Sequence, residues 1–392
     1  MKYHFDEVIN RRHTNSLKYD CAAERGKPED VLPLWVADMD FRAPEKVIDA
    51  LKAKAEHGIF GYSEPDERYF AALTGWFFRR HGWHTDPEKF VLSCGVVYAI
   101  CTLIRILTEE KDGVLICPPV YYPFSESVLE NGRTLVESPL ILENGIYRVD
   151  FGDFERKIVE NNVKLFLLCS PHNPVGRVWS REELRKMGEI CMKHNVFVVA
   201  DEIHADFVFG ENRHTVFATL GERFLKNCAV CTAPTKTFNL AGLHIANIYI
   251  ENDAVREKYV REINRAGYSQ SNVMGIVACE AAYTYGEEWL EELKAYLTGN
   301  LDYVREFLRR ELPEIKLIEP QGTYLIWLDC SALGMNDGEL GGFMTDWARL
   351  WLDDGCVFGS GGSGFERVNI ACPRKTLKEA LLRLKNAVEE IR

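Results

Sequence analysis

The sequence has no apolar run approaching the ~18 residues that a membrane-spanning helix requires. It has no basic excess either, since 47 Lys and Arg stand against 59 Asp and Glu for a net charge of -12. That balance argues against nonspecific nucleic-acid binding and against docking on anionic membrane, because both need a basic face. The 12 cysteines follow no fixed interval and sit mostly inside apolar runs, Cys117, Cys169 and Cys231 among them, so no disulfide framework is implied. Cys228 and Cys231 do form a C-x-x-C, but inside a strand-like run with no second pair, which is poor ground for zinc or redox chemistry. The amino terminus, Met1-Lys-Tyr-His-Phe-Asp-Glu, lacks the basic segment and apolar stretch of a targeting leader. The expectation is a cytoplasmic protein acting on small molecules.

What is present is a chain of 392 residues, 46% apolar, enough for a large core and two domains. Its most informative stretch is Cys228-Ala-Val-Cys-Thr-Ala-Pro-Thr-Lys-Thr-Phe-Asn239. A small-residue strand run stops at Pro234, and Lys236 follows between two threonines and a phenylalanine. A lysine held there is partly desolvated, which lowers its pKa and leaves a nucleophilic amine suited to a Schiff base with an aldehyde.

Residues 1–33 are polar and irregular and read as an arm packed on something else. Pro44 opens a helix to His57 with Val47, Ile48, Leu51 and Ala55 at helical spacing, and Gly58 ends it. A second amphipathic helix covers 66–81. From 89 to 251 apolar runs alternate with helices: Phe90–Ser93, Gly113–Cys117, Val163–Cys169, Val196–Ala200, Cys228–Ala233 and Ile245–Ile250. This predicts an α/β fold, a mostly parallel sheet covered by helices. A charged helix over 287–311, strands over 322–328 and 368–371 and a last helix from Thr376 predict a smaller α+β domain completed by the amino-terminal arm. The division expected is 1–50 arm, 51–285 large domain and 286–392 small domain.

Ligands of such sheets bind beyond the carboxyl ends of the strands. There the sequence places Gly95 before an apolar helix, whose first amides suit an anion such as phosphate. Pro118-Pro-Val-Tyr-Tyr-Pro-Phe124 offers two rings, either able to stack on a heterocycle, and Ser170-Pro-His-Asn-Pro-Val-Gly176 aims the Asn173 amide. Asp201 ends a fully apolar run, where an aspartate needs a positive partner. Strand alternation puts Glu202, His204 and Asp206 on one side and invites a metal reading, but Asp201 then points the other way and no further spaced ligands follow, so no metal is expected. Gly359-Ser-Gly-Gly-Ser-Gly364 matches a dinucleotide motif formally, yet a strand follows it; its expected use is close backbone approach, delivering Arg367. A guanidinium suits bidentate capture of a carboxylate.

Lysine, aspartate, stacking aromatic, aimed asparagine and anion-binding turn are together what pyridoxal 5'-phosphate (PLP) requires. Ser93-x-Gly95, Pro119-x-Tyr121, Asn173-Pro174-x-Gly176, Asp201-Glu-Ile-His204, Thr235-Lys236-Thr-Phe-Asn239 and Arg367 resemble the aminotransferase-like PLP enzymes of fold type I along nearly the whole chain. Leu34-Trp-Val-Ala-Asp-Met-Asp-Phe41 with Ala233-Pro-Thr-Lys-Thr-Phe-Asn-Leu-Ala-Gly-Leu243 resembles the MalY/PatB branch, the cystathionine β-lyase-like carbon-sulfur lyases.

The resemblance implies that Lys236 is the Schiff-base lysine, Asp201 the pyridinium partner, Asn173 a donor to the phenolic oxygen and Tyr121 the stacking ring. It places Gly95, Val96, Val97 and Thr235 near the phosphate, His204 by the cofactor, and Arg367, Asn173 and Ala37 at the substrate. Tyr62 would reach the phosphate of the neighbouring subunit, which implies a homodimer. One departure stands out: where aminotransferases carry a phosphate-binding arginine, this chain has His244. The activity implied is α,β-elimination from a cysteine thioether such as cystathionine, with Lys236 as base and Tyr121 or Tyr62 assisting proton transfer. Aminotransfer shares every step to the carbanion and is the alternative. A noncatalytic regulatory protein on the same scaffold is a third reading, against which intact Lys236, Asp201 and Arg367 argue.

Overall fold

Short apolar runs stopped by Gly, Pro or Asp become strands, and the amphipathic segments between them become the helices that cover those strands. A computed structural model describes residues 2–268 and 270–392. Its strands in chain order are β1 (Leu32–Pro33), β2 (Phe90–Ser93), β3 (Gly113–Ile116), β4 (Thr134–Glu137), β5 (Ile141–Glu143), β6 (Ile146–Arg148), β7 (Val163–Cys169) and β8 (Phe197–Asp201). They continue with β9 (Cys228–Thr232), β10 (Ala246–Ile250), β11 (Lys316–Ile318), β12 (Leu325–Asp329), β13 (Leu350–Trp351), β14 (Asp353–Asp354) and β15 (Phe365–Asn369).

Seven strands form the large sheet in the order β2-β10-β9-β8-β7-β3-β4. β4, β3, β7, β8 and β9 are mutually parallel, and β10 runs antiparallel to both of its neighbours. The sheet is mostly parallel, as expected, with one reversed strand. The reversal follows from the link between Thr232 and Ala246, whose only helices are the single turns Pro234–Thr237 and Ala241–Leu243, too short for a crossover. Successive residues of one strand fall into opposite cores: Leu115, Phe166 and Val198 into one, Val114, Leu167 and Val199 into the other. Both faces are therefore covered, and the strands read as continuous apolar runs for that reason.

From β3 the chain goes to β4 on one side, whereas β7 lies on the other. A crevice consequently opens beyond the carboxyl ends of β3 and β7, the switch point where such folds bind ligands. The helices Glu45–His57 and Glu67–His81 form as expected; Gly58 closes the first at φ 73°, and Asp66 caps the second by accepting from the Arg68 and Tyr69 amides. Both pack on the helix Val273–Tyr285.

A separate four-stranded sheet has the order β11-β12-β15-β14. The amino-terminal arm joins this carboxyl-terminal half through β1, which pairs in parallel with β13. The helix Glu287–Glu311 matches its expected bounds, whereas the last helix starts at Arg374 and the strands expected at 322–328 and 368–371 are β12 and β15. The first of those shifts because Thr323 stands at φ 66°, which no strand residue adopts. No helix among the described residues is long and apolar enough to cross a membrane.

Candidate active site

The carboxyl ends of the large sheet enclose a cavity of about 450 Å³. Ala37, Gly95, Val96, Val97, Tyr121, Asn173, Asp201, His204, Thr235 and Lys236 all line it. Ten of the residues singled out in the sequence are thus brought together from six segments of chain.

Lys236 stands in the one-turn helix that follows β9. Its Nζ donates to the Ala37 carbonyl at 2.7 Å. Burial lowers its pKa to about 8, helped by the positive charge of Arg367 and opposed by Asp38 and Asp201. The turn that carries it is fixed on both sides: Thr237 donates to Asp206 at 2.8 Å, and the Asn239 amide bonds the backbone of Met39 and Phe41.

Asp201 is the last residue of β8, between Cys169 and Cys231 on the adjoining strands. Among the described residues its carboxylate has one hydrogen bond, from the Ile203 amide at 3.2 Å, and no cation lies within ion-pair distance of it. Burial pushes its pKa up to about 7. A buried carboxylate this poorly partnered fits a cationic ring nitrogen arriving from the cavity. His204, whose Nδ1 is buried without a partner among the described residues, is lowered to about 3 by burial and by the charges of Lys236 and Arg367, so its ring is neutral.

The shared side expected for Glu202, His204 and Asp206 does not form, because β8 ends at Asp201 and the following residues turn. Glu202 pairs instead with His214 at 2.8 Å and accepts from the Phe217 amide, while Asp206 holds Thr237, Trp76 and His81. Among the described residues no group of His, Cys, Asp and Glu could hold a metal ion.

Arg367 lies on β15 opposite Trp327 of β12 and Asp353 of β14. It does not line the cavity itself but reaches its wall through Asn173, whose Oδ1 accepts from Nη1 at 3.1 Å. Nη2 donates to the Trp35 carbonyl at 2.8 Å and pairs with Asp353, the guanidinium covers the Phe358 ring, and Nε is buried with no partner among the described residues. With its Oδ1 so occupied, Asn173 keeps its amide N–H groups free to donate. The glycine-rich segment packs against its own chain, where a side chain at Gly355 or Gly362 would strike the backbone of the other, and none of residues 359–364 lines the cavity.

Of the two candidate rings, Tyr121 faces the cavity and Tyr122 packs against Phe358 at 5.8 Å. At the far end stand Gly95 and the first residues of the helix Val96–Leu107, with Thr235 and His244 nearby. A side chain added at Gly95 would project into open space, leaving room for an anion against those amides. Tyr62, 93% exposed, lies outside this cavity. Sequence reasoning missed Cys94, Tyr98, Cys169 and Ile203, which also line it, and gave no role to Tyr324, which donates to Ala37.

Residues 29–384 match the family model for class I and II aminotransferases. The chain is 44% identical to cystathionine β-lyase PatB of Bacillus subtilis, covering 98% of this chain and 99% of that one, and 34% identical to the MalY protein of Escherichia coli over the full length of both. Among solved structures it resembles cystalysin of Treponema denticola, which contains a pyridoxal 5'-phosphate cofactor, with a TM-score of 0.97 and 36% identity over all of each chain. The chain belongs to the class I and II aminotransferase family and has its fold type I architecture. Within that family it falls in the MalY/PatB branch.

Proposed function

We propose that the protein is a PLP-dependent carbon-sulfur β-lyase that cleaves cystathionine or related cysteine thioethers to a thiol, pyruvate and ammonia. The observation that carries the reading is one cavity holding both a lysine amine lowered to about 8 and a buried carboxylate without a cation. PLP when bound supplies an aldehyde for the substrate amine and an electron sink for the carbanion at Cα. Lys236 would hold its aldehyde carbon, Asp201 its ring nitrogen and Asn173 its phenolic oxygen, with Tyr121 and His204 at the ring. Thr235, Gly95 and the amides of Val96 and Val97 would hold the phosphate, with His244 in the arginine's place.

Arg367, oriented by Asn173 and Asp353, binds the α-carboxylate and fixes which Cα bond faces Lys236. The neutral Lys236 amine takes the Cα proton, and the Cβ–S bond breaks with its electron pair leaving on sulfur. The Tyr121 hydroxyl, whose pKa burial raises, stays protonated and able to assist proton transfer to the thiolate. Water then releases ammonia from the three-carbon enamine acid and leaves pyruvate.

The reading includes a cytoplasmic homodimer, with Tyr62 completing the partner's phosphate site; the exposure of Ile59, Phe60 and Tyr62 on one loop and the 12 unpaired cysteines support it. It also includes a division at residues 50 and 285, supported by the separation of the seven-stranded sheet from the four-stranded one. The purified protein loaded with PLP is given cystathionine, and pyruvate is followed with and without an added keto acid. Pyruvate and thiol without the keto acid establish the lyase. Turnover only with a keto acid, yielding a new amino acid, would establish aminotransfer instead.

A further inference from the structure

The segment Trp35–Phe41 is held by the Asp38 and Asp40 carboxylates, which pair with Arg11 and Lys18, and by a run of carbonyls that accept from both halves of the molecule. Trp35 accepts from Arg367, Val36 and Asp38 from Asn369, and Met39 and Phe41 from Asn239. The Ala37 carbonyl between them accepts twice, from Lys236 Nζ at 2.7 Å and from the Tyr324 hydroxyl at 3.0 Å. We propose that Tyr324 is a positioning residue for Lys236, acting through the Ala37 carbonyl that the two side chains share.

Tyr324 is placed for this by features independent of any ligand. It is fully buried, with its ring edge-on to Phe207 at 4.9 Å and to His204 at 5.8 Å. Its backbone is locked on both sides: the Ile370 amide donates to the Tyr324 carbonyl, and the preceding Thr323, at φ 66°, donates to the Phe207 carbonyl. Gly322 permits that approach, since a Cβ there would stand 2.7 Å from the Phe207 oxygen. The hydroxyl therefore has one target.

A carbonyl oxygen offers two lone pairs, and here both are used. A neutral amine has two N–H bonds and one lone pair, so committing one N–H to a fixed acceptor restricts where the lone pair points. The hydroxyl keeps the acceptor from turning, and by donating to it weakens it as an acceptor for an ammonium. The hydroxyl thereby favours the neutral, proton-accepting form of Lys236 in one orientation. The proposal rests on Lys236 being the reacting amine.

The test is Tyr324→Phe, which keeps both ring contacts and leaves the Ala37 carbonyl bonded to Lys236, so no buried acceptor is orphaned. In the cofactor-free protein, the pH dependence of Lys236 labelling by an amine-reactive reagent, read by peptide mass spectrometry, should move up by about half a unit to one unit. In the PLP-loaded protein kcat should fall roughly tenfold with KM within about twofold, because Arg367 and Asn173 are untouched. An unchanged or downward labelling midpoint overturns the proposal, and so does an unchanged kcat. Lys236→Ala is run alongside: if it abolishes turnover while Tyr324→Phe matches the parent, the proposal alone fails. If Lys236→Ala still turns over, the underlying reading fails and the proposal with it.

Discussion

Asp201→Asn separates the cost of a buried carboxylate from its use. In the cofactor-free protein its pKa is about 7 against an ordinary 3.8, a rise caused by burial and only partly offset by the Ile203 amide and the charge of Lys236. An acid whose folded pKa is raised leaves stability intact below the unfolded value and removes it as pH climbs toward the folded one. Roughly three pKa units at 1.36 kcal/mol each set the full cost near 4 kcal/mol above pH 7. At pH 5 the folded carboxyl is still protonated while the unfolded one is mostly ionised, so less than half of the cost is present there, leaving roughly 2–3 kcal/mol to develop between pH 5 and pH 8. Asparagine has nearly the same shape, accepts the same amide and does not ionise. Cofactor-free Asp201→Asn should therefore exceed the parent in stability by about 2–3 kcal/mol more at pH 8 than at pH 5, a difference of about 3 °C in Tm for a chain of this length. The assay is thermal or urea unfolding of both cofactor-free proteins at the two pH values. With PLP the order should reverse, because the variant would lack the carboxylate proposed to keep the ring nitrogen protonated, and turnover should drop by about two orders of magnitude or more. Equal stability differences at pH 5 and pH 8 would refute the argument that this carboxylate is desolvated and unpaired.

Three other outcomes follow from the same geometry. Arg367→Lys keeps the charge but not the fork shared among Asn173, Trp35 and Asp353, so KM for the amino-acid substrate should rise about 10- to 100-fold in steady-state assays. Gly355→Ala drives a methyl group into the backbone of Gly362 and Phe365, just ahead of Arg367; a loss of about 2–4 kcal/mol in urea unfolding is expected, together with weakened substrate binding. Tyr62→Phe removes a hydroxyl from a side chain that is 93% exposed, so unfolding should be unchanged while, if Tyr62 completes a partner's phosphate site as proposed, PLP affinity measured by fluorescence titration falls about tenfold. Unaltered affinity would remove Tyr62 from the phosphate site.

The sequence by itself determined six of the seven strands of the large sheet, though not β4, and the identity of the main polar groups of the cavity. It could do so because strands covered on both faces must be apolar throughout, which leaves Tyr121, Asn173, Asp201 and Lys236 conspicuous where each run stops. Local pattern also carried the helix bounds at Gly58 and Glu311, where a left-handed glycine and the end of the periodic spacing act within a few residues.

Tertiary structure decided what depends on distant partners. Strand alternation predicted a common side for Glu202, His204 and Asp206, but the end of β8 sent Glu202 to His214, Asp206 to Thr237 and His204 to the cavity wall. Ring chemistry alone does not rank Tyr121 above Tyr122; the resemblance favoured Tyr121, and packing turns Tyr122 onto Phe358 and leaves Tyr121 on the cavity. Lys236 meets the Ala37 carbonyl across 199 residues, and Tyr324 meets it across 287. A backbone carbonyl has no residue-specific signature, so its use as a shared acceptor is set only by how the segment Trp35–Phe41 docks between the two sheets.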